Sequence, residues 1–159
     1  HVNIWMIFGF LRAGKVDEAY NAFKRFTPGY LTGEEDDPKR EMPPFLFANG
    51  YYGPDHKNNK FQMEYTWITG SVSWIYNVIM KEMIGIKPFF DGLIIDPKLP
   101  SEWKNIEVER EYQGKIFHIE IERKDVKQTE VICNGKRSDT NYIEWSKCEP
   151  ENTVQVFIP

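Results

Sequence analysis

A small set of polar and aromatic residues in the first half of the chain could do chemistry together: His1, Asn49, Tyr65, Trp67, Thr69, Gly70 and Ser71. Thr69, Gly70 and Ser71 are residue types found where helices begin. A hydroxyl there can satisfy free backbone N–H groups, and glycine lets another group approach the main chain. The first helical turn presents amide donors and the positive end of the dipole, which suits an anion, above all phosphate. A histidine adds a donor that is cationic when protonated, and aromatic faces suit a sugar ring. By type the set could hold an oxyanion beside a sugar. An ordinary capped core helix is the competing account, since most helix starts bind nothing.

No catalytic set is complete. There is no His/Cys cluster at metal-ligand spacing, no Gly-x-Ser-x-Gly elbow and no Walker loop. No pair of carboxylates stands out as acid and base. The expectation is therefore no catalytic residue, no metal and no cofactor within these residues.

The elements that must position the set follow from periodicity. Residues 2–12 (VNIWMIFGFLR) are apolar on nearly all faces and predict a helix buried on every side. Ala13-Gly14-Lys15 reads as a turn, and residues 17–26 as an amphipathic helix stopped by Thr27-Pro28-Gly29. The pair is an αα-hairpin, with a weak likeness to one tetratricopeptide unit but no second copy. Residues 30–43 carry a charge run and read as a solvated loop. Residues 44–63 are irregular yet aromatic, as in loops that line pockets or pack on a core. A helix over 71–84 follows, with Gly85 at its C-terminal end and Pro88 beyond. Trp67 and Trp74 are expected in a core.

From residue 88 the pattern changes to short alternating runs: 93–95, 105–112, 115–122, 128–133, 141–145 and 153–158. Asn134-Gly135 is the clearest hairpin turn. The reading is an α+β chain, helical over 1–87 and an antiparallel β-sandwich over 88–159.

The 159 residues are 41% hydrophobic and 15% aromatic, enough for a sizeable core. The net charge of −4 argues against nucleic acid as a partner, and no apolar run is long enough to span a membrane. Two cysteines, Cys133 and Cys148, are no disulfide framework; they can pair, and free thiols are the expectation. The chain opens inside an apolar helix, which reads as the C-terminal piece of a longer protein.

The stretch FANGYYGPDH, followed by TWITGSVSWIYNVIMKEMIGIKPFFDGLIIDPKLPSEW, resembles the C-terminal part of the inverting disaccharide phosphorylases of glycoside hydrolase family 94. The strongest pieces are Trp67-Ile68-Thr69-Gly70-Ser71, Gly85-Ile86-Lys87-Pro88, Asp91-Gly92-Leu93-Ile94-Ile95-Asp96-Pro97 and Leu99-Pro100-Ser101-Glu102-Trp103. The resemblance implies the C-terminal portion of an (α/α)6 barrel followed by a small β-domain. It implies phosphorolysis of a cellobiose- or cellodextrin-type β-glucoside to α-glucose 1-phosphate, with inorganic phosphate as co-substrate. Phosphorylases for other β-linkages (laminaribiose, β-1,2-glucan, chitobiose), an inverting hydrolase on the same barrel and a non-catalytic interaction module are the alternatives. By resemblance His1, Thr69 and Gly70 bind phosphate and Asn49 lies by the sugar, where many relatives carry the longer Gln. The family's general acid lies upstream, so these residues alone are expected to be inactive. A homodimer of the whole protein and a cytoplasmic location are further expectations of the resemblance.

Overall fold

A computed structural model describes residues 1–26, 47–48, 50–59, 63–64 and 70–159. The chain divides into two compact units, His1–Val78 and Ile79–Pro159.

In the first unit α1 (Val2–Arg12) packs on α2 (Val16–Phe26) and touches α3 (Ser71–Asn77). The turn joining α1 to α2 needs a left-handed residue, and Gly14 supplies it at φ 73°. Ala13 and Lys15 amides bond back to the carbonyls of Gly9 and Phe10, so the end of α1 is satisfied before α2 begins. The all-round burial expected for α1 is not seen. Ile4, Ile7 and Leu11 form one buried stripe, while Val2, Trp5 and Met6 are exposed. α2 and α3 supply partners for one face, which is the face that is buried. Ala19 of α2 and Ile75 and Val78 at the end of α3 are also buried. A two-residue ladder pairs β1 (Gly50–Tyr51) with β2 (Met63–Glu64). Beyond β1 the Tyr52 and His56 rings lie 4.4 Å apart, and His56 Nδ1 accepts the Asn59 amide at 3.0 Å.

The predicted single helix over 71–84 is α-helical only through Asn77. Val78–Met83 is a π-helix, closed by the Ile84 amide on the Ile79 carbonyl at 2.8 Å. Apolar periodicity does not distinguish four-residue from five-residue bonding, so sequence could not show the change.

The second unit is built on two sheets. β3 (Ile86–Phe89), β4 (Gly92–Ile95) and β9 (Tyr142–Glu144) form an antiparallel sheet in that order. β5 (Asn105–Tyr112), β6 (Lys115–Arg123), β10 (Glu151–Ile158), β7 (Glu130–Cys133) and β8 (Lys136–Arg137) form the larger one, again in that order. Both sheets feed one core: Ile86, Leu93, Ile95 and Ile143 from the smaller, and Phe117, Ile119, Ile121, Val131, Val154 and Val156 from the larger. The alternation that predicted β6 is realised, with Phe117, Ile119 and Ile121 buried.

The expected antiparallel sandwich needs correction, because β10 runs parallel to β6 from Glu151↔Ile116 to Ile158↔Arg123. Alternation fixes which face a residue takes and says nothing of strand direction. β3 was hidden by Gly85 and Pro88, which read as helix punctuation. Pro88 is tolerated because β3 is an edge strand, where one side of the ladder needs no donor.

The stretches from Gly85 onward that carried the family resemblance turn out to be fold-making. Gly85 sits at φ 79°, and its carbonyl accepts the Asp96 amide at 2.9 Å. A Cβ there would fall 2.1 Å from the Asp96 carbonyl oxygen, so only glycine fits. Lys87 Nζ bonds Asp96 at 2.8 Å, and the Tyr142 hydroxyl donates to Asp91. Arg123 holds the Leu-Pro-Ser-Glu-Trp run by donating to the carbonyls of Leu99 (2.7 Å) and Trp103 (3.2 Å).

Candidate functional site

The candidate site begins at the start of α3. Its N-terminal flanking residue is Gly70, at φ −75° and ψ 23°, and the Trp74 amide bonds the Gly70 carbonyl at 2.9 Å. No side-chain hydroxyl caps this terminus, because the capping position is glycine. Ser73 Oγ instead donates to the Gly70 carbonyl at 3.1 Å, which turns the hydroxyl inward along the first turn. Ser71 is buried.

His1 arrives at the same place from the other end of the sequence. It flanks α1, its carbonyl accepting the Trp5 amide at 3.0 Å, and its imidazole makes no capping bond to that helix. The ring is tilted against Trp5, with centroids 6.1 Å apart. A Cβ placed on Gly70 would lie 3.8 Å from His1 Nε2, 3.7 Å from Ser73 Oγ and 3.6 Å from the Trp74 ring. The fold therefore brings an imidazole nitrogen, a serine hydroxyl and a helix start to within contact distance of one exposed glycine.

Gly70 is not demanded by this geometry. Its φ is one any residue adopts, and the three contacts a Cβ would make are ordinary van der Waals distances. A glycine neither strained nor crowded leaves room for a methyl-sized group beside His1 Nε2. An imidazole N–H beside a helix start can bind an oxyanion.

Of the residues singled out from sequence, His1 and Gly70 are brought together. Asn49, Tyr65, Trp67 and Thr69 lie outside the described residues. Ser73 and Trp74 were not foreseen as site residues. Trp74, expected in a core, is 48% exposed. Their positions three and four residues beyond Gly70 place both over the first turn, which is the signal that could have found them. Among the described residues no group of His, Cys, Asp and Glu could hold a metal ion, and no helix is long and apolar enough to cross a membrane.

Comparison with known proteins places the chain in a family. The profile for the glycosyl hydrolase 94 superfamily, catalytic domain, matches residues 1–85, and that for the glycosyl hydrolase family 65, C-terminal domain, matches residues 87–135. An N,N'-diacetylchitobiose phosphorylase of Vibrio proteolyticus is 28% identical over 79% of the chain, which covers 15% of that protein. A cellobionic acid phosphorylase of Neurospora crassa is 30% identical over 86% of the chain and 17% of its own length. A cyclic beta-(1,2)-glucan synthase of Rhizobium meliloti is 28% identical over 88% of the chain and 5% of its length. The chain thus spans under a fifth of the length of each of these three relatives.

Proposed function

The chain belongs to the glycosyl hydrolase 94 superfamily, and on that premise we propose that it is the C-terminal segment of an inverting β-glucoside phosphorylase. Residues 1–87 form the end of an (α/α)6 barrel in this reading, and residues 88–159 the β-domain behind it. The observation that carries it is the placement of His1 Nε2 beside Gly70 at the start of α3, 3.8 Å from where a Cβ on that glycine would stand.

In this reading phosphate sits on that start, held by His1, by the Thr69 hydroxyl and by the main chain at Gly70. An inverting hydrolase uses a second carboxylate to activate water. Phosphate is already an anionic nucleophile and needs only to be held in line with the anomeric carbon, on the face opposite the leaving group. Positioning then supplies much of the rate. A carboxylic acid upstream of these residues protonates the leaving oxygen, and α-glucose 1-phosphate forms with inversion. Asn49 contacts the sugar at the cleavage point. The residues described here lack that acid and are inactive by themselves. The whole protein is a cytoplasmic homodimer without a metal or other cofactor.

The donor sugar is glucose and the preferred linkage that of cellobiose or cellodextrin. The names of the relatives favour a second reading on the same chemistry. They act, as named, on chitobiose, cellobionic acid and solabiose, so a different β-linked disaccharide fits the family equally.

The full-length protein carrying this segment is assayed against a panel of β-linked disaccharides, with phosphate and without. Sugar 1-phosphate that appears only with phosphate is the expected result. Release of free sugar at equal rate in both arms means hydrolysis and overturns the reading. No reaction on any member of the panel, while α-glucosides assayed alongside are cleaved, overturns it as well.

A further inference from the structure

The two cysteines of the second unit are drawn into one neighbourhood, and the fold leads them there from opposite directions. Cys133 ends β7, opposite Val154 of β10. Cys148 follows the single helical turn Trp145–Lys147. Asn152, 1% exposed, ties the two neighbourhoods together. Its Oδ1 accepts the Glu149 amide at 2.8 Å and the Asn134 side-chain amide at 3.0 Å, and its Nδ2 donates to the Glu149 carbonyl at 2.7 Å. Asn134 follows Cys133 and Glu149 follows Cys148, so one buried side chain sets the separation of both cysteines. Cys148 Sγ donates to the Glu144 carbonyl at 3.3 Å. Both thiols are partly buried against the core and both are free.

We infer that Cys133 and Cys148 form a reversible intramolecular disulfide that locks the end of β7 to the approach to β10. Lys115 decides the order of attack. Its ammonium donates to the carbonyls of Trp145 and Cys148, and its charge favours the Cys148 thiolate. Burial pushes both thiols up, Cys133 to about 11, and only Cys148 has a cation to offset it. Cys148 is thus the attacking sulfur and Cys133 the resolving one.

The oxidant is a low-molecular-weight disulfide such as oxidised glutathione. The Cys148 thiolate forms a bond to one of its sulfurs, and the other leaves as a thiolate that takes up a proton. The Cys133 thiolate then attacks the Cys148 sulfur of the mixed disulfide, and the second glutathione leaves as its thiol. Two protein thiols and one small disulfide become one protein disulfide and two small thiols, with the two protons carried off on the latter. No other electron acceptor is needed.

The 159-residue chain is equilibrated at graded ratios of oxidised to reduced glutathione, folded and in urea, then quenched in acid for intact mass and peptide mapping. In the folded chain a monomer lighter by two hydrogens, with the Cys133 and Cys148 peptides joined, is expected. It should appear at a ratio roughly 100-fold lower than in urea, because a bond that stabilises the fold is favoured by the fold. Its thermal midpoint should rise by roughly 5–10 °C and fall back on reduction. Cys133→Ser and Cys148→Ser should each show no such rise, and Cys133→Ser should stop at a single glutathione adduct on Cys148. Glutathione on both sulfurs, disulfide-linked dimers as the main product, or equal ratios in folded and unfolded chain would each overturn the inference. The wild-type measurements decide it even where a serine variant fails to fold.

Discussion

Replacing Gly70 by alanine separates a glycine kept for the fold from one kept for a ligand. At φ −75° and ψ 23° an alanine is unstrained, and its methyl would sit 3.6–3.8 Å from Trp74, Ser73 and His1, touching but not clashing. The fold should lose nothing measurable; reduced freedom of the unfolded chain could add about 0.5 kcal/mol. The anion site has less room. An oxygen bound to His1 Nε2 sits about 2.8 Å from that nitrogen. A methyl 3.8 Å from the same nitrogen takes up the Gly70 side of the position. The oxygen must shift by about 1 Å, and a misplacement of that size costs about 100-fold in rate. That corresponds to about 2.7 kcal/mol of transition-state stabilisation. Initial rates of sugar 1-phosphate formation by the full-length protein, measured against phosphate concentration, should show kcat/KM for phosphate falling by roughly that factor. The thermal midpoint should be unchanged. A Gly70→Ala protein with phosphate kinetics within twofold of wild type would refute the argument. A large loss of stability would refute it from the other side, by placing Gly70 in the fold.

Gly85→Ala should do the reverse. Its methyl would meet main-chain atoms of Asp96 and Pro97 at 2.1–2.4 Å at a positive φ, so urea titration should show a loss of about 4 kcal/mol or no folded protein. Asn152→Ala removes four hydrogen bonds made inside the protein, to the Glu149 amide and carbonyl, the Ile116 carbonyl and the Asn134 side chain. At about 1 kcal/mol each, urea titration should show a loss of about 3–4 kcal/mol of stability, with Asn152→Asp intermediate because it keeps the acceptor. Cys133 is pushed up from 9.0 to about 11, chiefly by burial. A raised pKa in the folded state means the protonated form is favoured by folding. That stability is complete below pH 9 and declines as pH rises toward about 11, and alkylation of Cys133 in the folded chain should follow the higher value. A Cys133 alkylation profile with its midpoint near 9 would contradict this.

The β-strands were legible because their chemistry is local. Phe117, Ile119 and Ile121 alternate with polar neighbours, and Asn134-Gly135 adopts φ 50° and 74°, as its residue types require. The direction of β10 was not legible, because its pairing with β6 joins segments more than a full strand apart and alternation carries no polarity. The site divides in the same way. A helix start at Gly70 could be seen in the order of residue types. That His1 reaches it could not be read from spacing across most of the first unit, and it came from the family resemblance. Conversely, the motifs that resembled the family most strongly hold Gly85, Lys87, Asp96 and Leu99 in main-chain and ion-pair roles. Those motifs from Gly85 onward identify the fold, while the proposed phosphate contacts fall on His1 and on Thr69 and Gly70 of the earlier motif.

β10 lies between β6 and β7, although it is made after both. On the ribosome the two flanking hairpins must wait, each with an inner edge of unpaired amides and carbonyls facing an empty slot. Until residues 151–158 emerge, any extended segment of a neighbouring nascent chain can fill that slot. Slow synthesis or premature termination just ahead of Glu151 would therefore favour aggregation far more than an equal delay inside the hairpin of β5 and β6.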